Sequence, residues 1–185
     1  MIEDTDTLLT IGEIAVAFAG FAGIASVLAR GHKSLDPRVN ALRLHNMVDI
    51  ALSVVVLAFA PLLLSELLSK TLPDTAWFWR VTSFLAFLWA SAMYVRLNRR
   101  SKPLAKMAGY DAGGHKRLKF IAFGGLIAVA SNIVLPAHHY MYAAYLAGVY
   151  AALTGCGILF MRILNSLLLI AVADHEPQTE ESDRD

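Results

Sequence analysis

Apolar positions along this chain gather into five long runs separated by short polar connections. They cover residues 8–29, 47–68, 76–95, 120–136 and 140–173. A helix needs about 20 apolar residues to cross a hydrocarbon core, and the first four runs each match one crossing. The last is too long for a simple one. Residues 140–161 are read as the fifth span, with 162–173 as a helical extension or a segment at the interface; a steeply tilted single helix is the competing reading. Backbone groups in lipid must pair within their own segment, so each span should be helical. The runs are uniformly apolar and lack the alternation of barrel strands. The expected fold is all-α: a polytopic transmembrane helical bundle of about five spans, forming one domain over residues 1–173. The acidic stretch 174–185 follows as a disordered tail.

Composition agrees with this pattern. Hydrophobic residues make up 57% of the chain and charged residues only 17%, against about 25% charged in ordinary soluble proteins. The mean hydropathy is +0.54. The net charge of +1 carries no information about partners, but the placement of charge does. Twelve of the 16 Lys and Arg residues fall in two segments, 30–46 and 96–119. The positive-inside rule puts both segments in the cytoplasm, the N-terminus outside and the C-terminus inside. Trp77 and Trp79 then fall at the outer interface and Tyr94 near the inner one, as an aromatic belt. The first ten residues carry three acids and no base, so the first run is expected to stay in the mature protein rather than act as a cleaved signal. Asp36-Pro37 reads as an N-cap followed by the first helical position, which would start the second helix ahead of its apolar run.

Two carboxylates, Glu13 and Asp49, lie inside expected spans, where charge is costly and faces a partner or water. Arg80 starts the third helix at the level of Glu13. The two form either an ion pair or, alternatively, a site in which Glu13 carboxylates from several subunits ring a cation path. Asp49 joins His45 or Asn46 and Ser53 in a polar stripe, with Arg30, Arg96 and Arg162 as candidate partners. Small residues share a face of the first helix: Gly12, Ala15, Ala19, Ala22, Gly23 and Ser26, with Gly20 on its flank. The fifth helix repeats this with Ala144, Gly148, Ala152 and Cys156. Such faces let backbones approach closely, within one bundle or between subunits. Pro61 is expected to kink the second helix. His138 and His139 are adjacent and cannot chelate as an i, i+4 pair. They suggest a pH-sensitive interface rather than a metal or haem site.

No HExxH, GxSxG, P-loop or Cys-His metal spacing is present. The longest polar stretch, residues 96–119, is too short for a catalytic domain. A non-enzyme without cofactor or metal is therefore expected. The leading reading is a homo-oligomeric ion channel or permeation protein of the cell (inner) membrane. The alternative is a non-conducting, membrane-anchored sensor or partner subunit whose basic loops bind a cytoplasmic protein or anionic lipid. A small transporter ranks third, because no inverted repeat or pair of broken helices is visible. Nucleic acid is not an expected partner: the basic loops are accounted for by topology.

Overall fold

The computed structural model describes residues 5–29, 37–68, 75–101, 112–135 and 140–173, with side chains at the loop-facing ends of most helices left out. All five apolar runs are helices: α1 (Thr5–Ala29), α2 (Pro37–Leu68), α3 (Thr75–Ser101), α4 (Ala112–Val134) and α5 (Met141–Ala173). Among the described residues there is no strand. Each helix is long and apolar enough to cross a membrane, so the chain has the architecture of a multi-pass membrane protein.

The helices outrun the apolar runs that announce them. α2 begins at Pro37, whose fixed φ and missing N–H suit a first helical position. α3 continues past residue 95 through Arg96, Arg99 and Arg100, and α4 starts eight residues before its apolar run. Hydropathy reports contact with lipid, whereas helix continuation depends on backbone pairing, and long basic side chains favour it. α5 is one unbroken helix of 33 residues, about 50 Å long, so residues 162–173 extend the last span without a break. The acidic tail lies outside the described residues.

Packing makes a ring with one helix outside it. α2, α3, α4 and α5 contact one another in that cyclic order, and α1 packs on α2 and α5. Neighbours in the ring run in opposite directions, as do α1 and α2, while α1 and α5 run the same way. The C-terminal ends of α1, α3 and α5 therefore share one end of the bundle with the N-terminal ends of α2 and α4. This basic end carries Arg43, Arg100, Lys119 and Arg162.

The opposite half is the better packed. Leu8, Ile11, Ala15, Val54, Ala58 and Tyr145 are buried there. Trp79, expected at the lipid interface, is 5% exposed. Its ring packs on Phe78, Tyr142 and Tyr145, while Trp77 stays outside. Tyr145 donates to the Leu57 carbonyl at 2.6 Å, which ties α5 to α2 near Pro61. Asn132 is fully buried. Its amide donates to Ser83 Oγ at 3.0 Å and to the Met141 carbonyl at 2.7 Å, joining α4 to α3 and to the start of α5. In a dry interior such bonds fix register, because leaving the groups unpaired costs more than pairing gains.

Candidate functional site: an outward carboxylate and a cavity with a basic mouth

Buried positions on α1 occupy one arc: Leu8, Ile11, Gly12, Ala15, Ala22 and Ala25. At about 100° per residue, Glu13 lies opposite the middle of that arc, flanked by Ala17, Gly20 and Ile24. All four are exposed. Glu13 thus points away from the protomer, about 12 Å along the helix axis from Thr5. It has no ion-pair or hydrogen-bond partner among the described residues.

Arg80 is engaged elsewhere. Its Nη2 donates to the Leu135 carbonyl at 3.4 Å, where the negative end of α4 favours a cation. The guanidinium carbon lies 5.7 Å from the centre of the Trp77 ring. The structure therefore contains no Glu13–Arg80 pair. α1 packs on α2 and α5, while α3 packs on α2 and α4, so the two side chains belong to different sides of the bundle.

The small-residue face of α1 is used largely inside the protomer. A Cβ on Gly12 would come within 3.0 Å of the Phe59 ring on α2. Ala15 is fully buried, and Ala19 packs against the core formed by α1, α2 and α5. Gly20 and Gly23 differ: a Cβ on either would meet nothing within 4 Å. On α5, Gly148 and Ala152 also serve the interior. A Cβ on Gly148 would collide with the Val129 side chain of α4. Cys156 donates to the Met47 carbonyl at 3.9 Å.

Asp49 is paired, with a residue that the sequence did not single out. Arg100 Nη1 lies 2.8 Å from Asp49 Oδ2, and His45 Nε2 lies 3.5 Å from the same oxygen. Arg96 is one turn away on α3 and exposed. The signal for Arg100 was its i, i+4 relation to Arg96, hidden by ending the helix at residue 95. The polar stripe divides: Asn46 and Ser53 face the ring interior, and Asp49 turns to α3. His138 and His139 lie outside the described residues.

Inside the ring of α2–α5 is a cavity of about 200 Å³ in the half of the bundle nearer the basic end. Leu57, Ala86, Val129 and Tyr145 close its inner limit, and Arg43, Asn98, Lys119 and Arg162 stand at its mouth. Small side chains on facing helices create the space: Ala86 and Ala90 on α3, Ala122 and Gly125 on α4, Ala152 and Gly155 on α5. Asn46 Oδ1, at the mouth, is buried without a hydrogen-bond partner. The sequence carried this feature only as small residues on three helices, of which Ala152 alone stood out, as a packing position. Comparison with family models, curated proteins and solved structures finds no match for the chain.

Proposed function

We propose that the protein is a homo-oligomeric permeation protein in which the outward faces of α1 from several copies meet at a shared axis and Glu13 lines a hydrated cation path. The observation that carries this reading is the unpartnered carboxylate of Glu13, aimed away from its own protomer from within a span. An ionised side chain at the centre of a lipid-facing helix costs about 2.5–3.5 kcal/mol. Water and cations at an axis offset that cost. Gly20 and Ala17 beside it let neighbouring backbones approach. A path through one protomer has no support, since the cavity ends at Leu57, Ala86, Val129 and Tyr145.

In this reading the basic end faces the cytoplasm of a cell membrane, by the positive-inside rule. Cysteines introduced at Ser34 and Ser101 in a Cys156→Ala background should resist an impermeant reagent in intact cells. The function itself is tested by cation flux in liposomes together with unfolding in detergent. Glu13→Gln should lower flux while leaving protomer stability unchanged, because no intramolecular partner is lost. If the wild-type protein assembles and passes no ions, the reading fails. The second reading, a non-conducting sensor or partner subunit, then takes its place. Its support is the cavity with three cations at the mouth.

A further inference from the structure

We propose that the cavity within the α2–α5 ring binds an anionic phospholipid with a hydroxyl-bearing head group. A segment of one acyl chain fills the interior, and the phosphate sits at Arg43 and Lys119, beside Arg162. This site lies within a single protomer and is independent of the Glu13 axis.

The interior asks for an apolar occupant. Its wall is built from Ile50, Trp89, Met93, Leu126 and Val129 among others. A buried water needs two to four polar partners; of the three lining hydroxyls, Tyr94 stands toward the mouth, and the two deeper ones have spent their donors. Ser53 donates to the Asp49 carbonyl at 2.7 Å and Tyr145 to the Leu57 carbonyl at 2.6 Å. Left empty, the walls lose dispersion contacts along their whole length. The volume of about 200 Å³ exceeds the roughly 150 Å³ of a dry cavity that accepts a benzene ring. A chain segment of several methylenes therefore fits, with the rest of the lipid in the bilayer.

The mouth asks for an anion. The lining residues include three cations and no carboxylate. The nearest acid on α2, Asp49, is held by Arg100 at 2.8 Å and faces away. Arg43 and Asn46 stand one turn apart on the same face of α2 as Ile50 and Ser53, so head-group and chain contacts line up along one helix. The buried Asn46 Oδ1 has no donor, and a head-group hydroxyl would supply one. Phosphate, hydroxyl and acyl chain together describe a phosphatidylglycerol-like lipid, which distinguishes this site from the general attraction of a basic loop to a charged surface.

The test is native mass spectrometry of the full chain released from vesicles of equal parts phosphatidylglycerol and phosphatidylcholine. The wild-type protein should retain phosphatidylglycerol in clear excess. Each basic residue near a membrane surface contributes about fivefold to such binding, so Arg43→Gln with Lys119→Gln should lower the preference about 25-fold. Ala122→Trp should abolish retention of either lipid by filling the chain site. Ala90→Leu provides the same test with a smaller change if the tryptophan variant does not fold. Equal retention of both lipids overturns the proposal. So does a preference that survives the double change but disappears when residues 102–111 are replaced by a neutral linker, because the lipid then belongs to the loop. Thermal protection by inorganic phosphate equal to that by the lipid also overturns it, since the site would then take a free anion.

Discussion

Replacing Arg100 by Gln should destabilise the protein more than replacing its partner Asp49 by Asn, and the two effects should not add. The Nη1–Oδ2 distance is 2.8 Å, with side-chain exposures of 32% for Arg100 and 16% for Asp49. Exposed pairs contribute about 0.2–1 kcal/mol, and breaking a fully buried pair costs about 3–5 kcal/mol. The exposures put this pair between those limits. Arg100→Gln strands a carboxylate whose remaining side-chain neighbour is His45 at 3.5 Å, for a loss of about 2 kcal/mol. Asp49→Asn leaves an arginine near the basic end, free to extend its head group to water, for a loss of about 1 kcal/mol. The double variant should lose about 1 kcal/mol, a coupling of about 2 kcal/mol. Unfolding of all four proteins in one detergent measures the cycle. On the scale of soluble domains this size, 2 kcal/mol corresponds to a fall of about 4–8 °C in Tm. Losses that add to within about 0.5 kcal/mol would refute the pair. A larger loss for Asp49→Asn than for Arg100→Gln would refute the argument from head-group extension.

Two further predictions follow from the helix seams. Gly148→Ala drives a methyl into the Val129 side chain, so overpacking should cost about 1–3 kcal/mol in the same unfolding assay. Val129→Ala should restore most of it, and a neutral Gly148→Ala would contradict the close α4–α5 approach. Gly20→Leu should leave protomer unfolding unchanged, because nothing lies within 4 Å of its Cβ position, yet reduce cross-linked oligomer. Gly12→Leu should do the reverse, destabilising the protomer against Phe59; equal effects of the two on protomer stability would refute the division of α1 into inner and outer faces.

The five helices were legible in the sequence because lipid demands long uninterrupted apolar runs, and Pro37 marked the start of α2 correctly. Helix ends inside polar segments were less legible, since the hydropathy that reveals a span stops at the interface while the backbone continues. That shortfall hid Arg100 as the partner of Asp49. Small residues on α1 and α5 were legible as seams but not as to what they meet. A glycine allows close approach to whatever is there, and here Gly12 and Gly148 meet neighbouring helices of the same chain. Trp79 was misplaced at the interface because an aromatic residue near a helix end suits a lipid boundary and an aromatic core equally. The cavity had no signature beyond scattered Ala and Gly, because a void depends on how faces are turned toward one another.

The axis lined by Glu13 is tested most directly by the reversal potential of the reconstituted protein under a potassium chloride gradient, for wild type and Glu13→Gln. The wild-type potential should lie toward the potassium equilibrium value, and Glu13→Gln should move it toward zero with the oligomer intact. A wild-type protein without conductance, or a reversal potential unmoved by Glu13→Gln, would contradict the account.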